Sequence, residues 1–284
     1  MEPVMLLLWT AIGFFLLGVF PVPALRKRAL HLSAVGWLFF GAFWLARLPI
    51  YLETNSGIKI VLSVLALPMS AYVAYQMVTK ERDTLLKLSQ AVAAMGLVYM
   101  PFLLIDPLHT ALIEHTAAQT NRILSVLGID AQLTEREGIH NLFVVTNPAT
   151  GEEYRTYIIL ACTGIGSMAI FAGLISAIDA PLRRKMMAFA VSIPVIYALN
   201  LVRNVFIATA YGYQWFPYAE SFIVDLTGKY EGYASFFWAD KVISQGLSVV
   251  VLVAILFAVI RFLPELTELL DEILDLLGIS KKKA

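Results

Sequence analysis

The chain has 284 residues, 59% of them hydrophobic and 15% charged, and a mean hydropathy of +0.75, whereas soluble domains carry about 45–50% apolar and about 25% charged residues. Water is therefore not its principal solvent, and a formal net charge of zero leaves no global field to attract nucleic acid. Its one cysteine, Cys162, excludes an intramolecular disulfide and any multi-cysteine metal centre, and no metal or other cofactor is implied.

A helix needs about 20 predominantly apolar residues to cross roughly 30 Å of hydrocarbon. Seven runs meet that description, near 4–25, 29–46, 58–79, 88–105, 157–178, 187–210 and 237–262. The first has no basic region before it and is long enough to span, so it reads as a retained helix and not as a cleaved signal. Basic residues mark alternate connections: Arg26, Lys27 and Arg28, then Lys80, Arg82 and Lys87, then Arg183, Arg184 and Lys185, and finally Arg261 with Lys281, Lys282 and Lys283. By the positive-inside rule these face the cytoplasm, which puts the N-terminus outside and the C-terminus inside. Arg183 and Arg184 are thereby read as orientation charges.

The expectation is an all-α polytopic membrane protein, one transmembrane domain over residues 1–284 with about seven transmembrane helices and a small extracytoplasmic cap. The cap is the insertion 106–156. It opens with an amphipathic stretch in which Leu108, Leu112, Ile113, Ile123, Leu124 and Leu127 interleave with Glu114, His115, Gln119, Asn121 and Arg122, predicting an interfacial helix that stops at Gly128. Beyond it, Asn141–Thr146 and Tyr154–Ile159 flank an Asn147-Pro148-Ala149-Thr150-Gly151 turn, which predicts a β-hairpin. A second outer loop near 211–236 is rich in Tyr and Trp, as at a headgroup boundary. Residues 263–284 alternate leucines and carboxylates before the lysines and predict a cytoplasmic interfacial tail.

Ionisable groups at bilayer depth cost at least about 2.5–3.5 kcal/mol on insertion scales and are functional candidates. Arg203 lies about 16 residues, or roughly 24 Å, along the sixth run from its cytoplasmic start. Cys162 sits about five residues inside the outer start of the fifth run and Lys241 about four inside that of the seventh. Three runs thus bring a thiol, a guanidinium and an ammonium to one depth. Asn200 and Asn204 flank Arg203 at spacings of three and one and are themselves i, i+4, so part of the sixth run presents amides and a cation inward, and Ala161-Cys162-Thr163-Gly164-Ile165-Gly166-Ser167 permits close backbone approach. A nucleophilic cysteine works as its thiolate, and a cation at about 4 Å contributes on the order of 4 kcal/mol at an effective dielectric near 20. The other cation then suits the oxyanion of a tetrahedral intermediate. The histidines fall outside the apolar depth of the site, and of them His140 is the one placed to fold down over Cys162; Asp240, Lys241, a tyrosine or water remain to protonate a leaving amine.

The order Ala161-Cys162-Thr163-Gly164, Asn200-Leu201-Val202-Arg203-Asn204 and Ala239-Asp240-Lys241 resembles the exosortase/archaeosortase family, and within it the archaeosortase A branch. The resemblance covers the chain from the fifth run onward, the earlier runs being similar in hydropathy alone. It implies a membrane-embedded cysteine transpeptidase that recognises the C-terminal transmembrane sorting signal of secreted surface proteins, cleaves near a Pro-Gly-Phe motif and transfers the new C-terminus to a membrane lipid acceptor. Cys162 then matches the nucleophile, Arg203 the family's arginine, and Lys241 a position where the archaeosortase A branch carries arginine and exosortases histidine. Lysine keeps the charge and loses the planar fork of donors. Two other readings stand beside this one: a transporter using Arg203 and Lys241 as an anion site, although neither internal repeats nor paired broken helices are visible, and a non-enzymatic membrane scaffold in which Cys162 is a small buried hydrophobe.

Overall fold

Hydropathy of this kind, segmented by charge, commits the backbone to helices, because in hydrocarbon every peptide group must be satisfied within its own segment. The structure is a computed structural model that describes residues 3–19, 26–53, 57–81 and 83–276. Residues 20–25, which end the first expected span, lie outside the described residues, as do Arg82 and the tail lysines Lys281, Lys282 and Lys283. Among the described residues five helical stretches are long and apolar enough to cross a membrane: Lys27–Glu53, Lys59–Lys80, Thr84–Leu104, Leu182–Gly212 and Tyr233–Phe262. Two expected spans correspond to shorter apolar helices, Val4–Gly18 and Ile165–Ala177. The molecule is mostly helical, with one small sheet, and divides into two compact units.

The first unit comprises residues 1–97, 172–185 and 263–284. It contains α1 (Pro3–Val19), α2 (Arg26–Ala46), the short α3 (Leu48–Glu53), α4 (Gly57–Lys80) and the first part of α5 (Asp83–Leu104). Phe15, Leu30, Trp37, Met77 and Leu85 form its core, with the Trp37 indole N–H donating to Ser89 Oγ at 2.8 Å. Its charges pair at the ends of helices: Lys87 with Asp179 at 3.0 Å, and Arg184 through both terminal nitrogens with the Glu265 carboxylate, at 2.8 and 2.6 Å. Glu265 begins α12 (Glu265–Leu276), whose Leu266 and Leu269 are buried. The guanidinium hydrogen bonds hold the Glu265 carboxyl below the usual carboxylate range.

The second unit comprises residues 98–171 and 186–262. Asp106 and Pro107 start α6 (Asp106–Val126), since a proline in the first turn forfeits no helical hydrogen bond. After it come β1 (Ala131–Arg136), β2 (Ile139–Thr146) and β3 (Glu153–Tyr157), an antiparallel sheet in the order β1-β2-β3. The expected hairpin is the β2–β3 pair, in register Leu142 with Tyr157 through Thr146 with Glu153. The added strand β1 was not anticipated: Ala-Gln-Leu-Thr-Glu-Arg lacks the apolar alternation that identifies a half-buried strand. On β2, Asn141, Phe143 and Val145 are buried while the residues between and beside them are partly buried or, at His140, exposed, the period of two that a pleated strand imposes. Phe143 and Val145 join Ile113, Ala117 and Leu124 of α6, Ile158, Leu160 and Ile165, and Val205 and Ala208 in one core.

The fifth expected span, 157–178, is not one helix. Tyr157 closes β3, Leu160–Cys162 forms a single 3-10 turn, and α7 begins at Ile165 and ends at Ala177. The apolar residues Ile158 and Leu160 belong to the core beneath the sheet, so hydropathy merged a strand end with a helix. Then follow α8 (Leu182–Gly212), α9 (Glu220–Thr227) and α10 (Tyr233–Phe236), which continues through a π-helical stretch, Phe237–Ser244, into α11 (Gln245–Phe262).

Candidate active site

Cys162 therefore sits on the short turn before α7 and not on a transmembrane helix. Ile159 is extended, and the Cys162 N–H donates to its carbonyl at 2.8 Å. Thr163 is fully buried; its hydroxyl donates to the Leu160 carbonyl at 2.8 Å and accepts from the Ile165 N–H at 3.4 Å, which closes the turn and caps the helix start. Gly164 follows at φ +80°, and a Cβ there would lie 3.1 Å from Asn200 Cγ. Both the left-handed backbone and the close approach call for glycine. The thiol-bearing residue itself is half-buried.

Asn200 and Asn204, one helical turn apart on α8, both donate their side-chain amides to the Cys162 carbonyl, at 2.6 and 2.9 Å. A carbonyl has two lone pairs, and both are used. The amides fix the backbone of Cys162 to the helix that also carries Arg203.

Arg203 donates to Asp240 Oδ1, and Lys241 Nζ lies 2.9 Å from Asp240 Oδ2. One carboxylate thus faces two cations, leaving one positive charge in excess. The Asp240 side chain is 10% exposed, that of Arg203 21% and that of Lys241 47%, so the arginine pair is the desolvated one. Removing one member of such a pair costs about 3–5 kcal/mol, whereas an exposed lysine pair contributes about 0–1 kcal/mol. Asp240 and Lys241 lie in the π-helical stretch, a wider turn that recurs at functional sites.

Cys162, Asn204 and Asp240 line one small cavity with Thr156, Tyr157 and Phe236. Asn200 and Arg203 line a larger one, of about 290 Å3, with Gly164, Ser167, Phe206 and residues of α11. Asn200, Asn204 and Thr163 are thus gathered about the backbone of Cys162, and Asp240 lines the Cys162 cavity while pairing with Arg203 and Lys241. His140 is not. Its ring is 62% exposed and 3.4 Å from the Glu114 carboxylate on α6, and its backbone N–H donates to the same carboxylate at 3.0 Å. The β-register that pairs His140 with Glu135 fixes it at the far end of β2 from Thr146, and the acid on α6 holds the imidazole there.

Sequence reasoning missed Ser244 and Ser248 of the larger cavity, and took its Ser167 only as one of the small residues beside the thiol. Their signal was available in part: Leu247, Ser248, Val251, Leu252 and Ile255 recur at helical spacings of three and four, which places them on one face of α11, and Ser244 continues that spacing at the end of the π-helical stretch. Aromatic residues cluster at the end of α8: the Tyr211 hydroxyl meets the Tyr230 hydroxyl at 2.7 Å, and the Tyr211 ring packs on Tyr154 of β3 and Phe236 of α10.

The sequence model of the family described as "Transmembrane exosortase" matches residues 4–237. The chain is 38% identical over 283 residues to a protein named archaeosortase A from Haloferax volcanii, the match covering 95% of this chain and 92% of that one. It is 38% identical over 284 residues to archaeosortase A of Natronomonas pharaonis, covering 96% and 89% respectively. No solved structure matches the chain. A family match of this extent, two relatives aligned along almost their whole lengths and five helices of spanning length together establish that this multi-pass membrane chain belongs to the exosortase/archaeosortase family.

Proposed function

We propose that the protein is a membrane-embedded cysteine transpeptidase that cleaves the C-terminal sorting signal of secreted surface proteins, of the Pro-Gly-Phe type, and transfers them to a membrane lipid. The observation that carries this reading is the grip of Asn200 and Asn204 on the Cys162 carbonyl. A purely structural thiol needs no such support, whereas a nucleophile must be held in place for attack.

In the proposed reaction the Cys162 thiolate attacks the scissile carbonyl, the C–S bond forms and the C–N bond breaks. Arg203, oriented by Asp240, stabilises the oxyanion. Lys241 gives the leaving amine its proton, a role closed to arginine, which does not deprotonate in proteins. A nucleophilic head group of the acceptor lipid then attacks the thioester, its proton returns to Lys241, and the thiolate leaves. Water access to the site from the outer face fits the proposed topology, with the N-terminus and residues 106–156 outside and the C-terminal tail inside.

The test uses cells producing a surface protein with a Pro-Gly-Phe C-terminal signal and either the intact chain or Cys162→Ser at equal membrane levels. Loss of the electrophoretic shift and of lipid labelling in the mutant is the expected result. Unchanged processing removes Cys162 as the nucleophile. Indifference to Cys162→Ser combined with dependence on Arg203→Ala points to the transporter reading instead.

A further inference from the structure

The larger cavity runs along α8 from Ile196 to Phe206 and, from Ile243 to Ile255, along the end of the π-helical stretch and α11. Ten residues of helix span about 15 Å, so this cavity of about 290 Å3 is elongated along the two helices. An elongated cavity of this kind suits an extended hydrocarbon chain.

Its lining is mainly aliphatic, from Ile196, Leu199, Val251, Leu252 and Ile255, and becomes polar toward Gly164, Ser167, Asn200 and Arg203. Two features at the polar side point to a ligand. Ser244 is 4% exposed and its hydroxyl has no hydrogen-bond partner, although a buried hydroxyl left unpaired costs about 1–3 kcal/mol. Arg203 belongs to a trio with one positive charge in excess, which favours an anion beside it.

We propose that this groove is the binding site for a phospholipid, with one hydrocarbon chain lying between α8 and α11 and the phosphate at Arg203, where Ser244 has a hydroxyl to offer. The assignment of that lipid as the acceptor rests on the transpeptidase reading above; its binding does not. The groove places a head group beside the helix whose amides hold Cys162, on the side of Gly164 and Ser167.

The protein is reconstituted in phosphatidylcholine nanodiscs containing phosphatidylglycerol with a diazirine in one chain, irradiated, and digested for mass spectrometry. Expected is labelling concentrated on Leu247, Ser248, Val251 and Leu252, above that on Val249, Val250 and Phe257, which are exposed elsewhere on α11. Ser248→Trp abolishes the concentrated label, and Val251→Trp does so if the first variant fails to accumulate; Val249→Trp retains it. The same diazirine chain on diacylglycerol, which lacks a phosphate, labels the groove less, and equal labelling by the two lipids removes the phosphate from Arg203. Even labelling of all exposed α11 residues, or labelling of the groove by a photoreactive transmembrane peptide in place of lipid, overturns the proposal. Cys162→Ser is expected to keep the label, so a groove that binds lipid in a chain whose processing does not need the thiol separates failure of the catalytic reading from failure of this one.

Discussion

At the scale of single residues, Gly164 carries two constraints at once. Its φ of +80° belongs to the region that costs a non-glycine residue about 1–2 kcal/mol, and a methyl group there meets Asn200 at 3.1 Å. Gly164→Ala is expected to lower stability by about 1–3 kcal/mol and to alter the rate at which a maleimide modifies Cys162, because Asn200 must shift from the Cys162 carbonyl. Thermal unfolding and labelling kinetics in detergent measure both, and an alanine variant indistinguishable from the parent in each would count against this geometry. The glycine was visible in the sequence as a small residue beside the thiol. Its backbone conformation was not, since composition does not report φ. Likewise Asp240 was legible as an ionisable residue beside Lys241, but that it takes both Arg203 and Lys241 depended on how the side chains are turned.

At the scale of elements, the β2–β3 hairpin was legible from an Asn-Pro-Ala-Thr-Gly turn between apolar alternations, and α6 from its amphipathic period. The 3-10 turn and the π-helical stretch were not, because both arise from tertiary packing at the ends of otherwise ordinary apolar runs. The sheet has a titratable marker in Tyr154 of β3, whose hydroxyl donates to Glu152 at 2.8 Å. Burial, and then the neighbouring Glu152 carboxylate, push the phenol up from 10.0 to about 12. A phenol that keeps its proton longer in the folded chain adds stability that is complete below the unfolded value and disappears as the pH rises from about 10 towards 12. Alkaline unfolding followed by circular dichroism is therefore expected to be less steep in this window for Tyr154→Phe than for the parent. Equal slopes would show that another group governs the loss.

At the scale of the whole molecule, hydropathy identified the helical membrane class, and charge placement supplied an orientation. It overestimated one span, because an apolar strand end and an apolar helix read alike when no charge separates them. The orientation is tested in intact cells with a membrane-impermeant maleimide, in a Cys162→Ser background. Glu231→Cys is expected to label from outside and Asp271→Cys only after lysis; the reverse pattern would invert the topology and put the proposed site on the wrong side for secreted substrates.

The carboxylate shared by two cations has a consequence for how such a site can vary. If position 241 loses its amine, Asp240 still has Arg203, and the desolvated pair survives. If position 240 loses its acid, two like charges are left facing each other. As far as the ion pairing goes, substitution is thus unequally tolerated within the trio, and position 241 is the member whose change leaves the desolvated pair intact. That electrostatic freedom accounts for a lysine at a place where, by the resemblance drawn from the sequence, other cations stand, while proton transfer from this position still requires a base that titrates, which arginine is not.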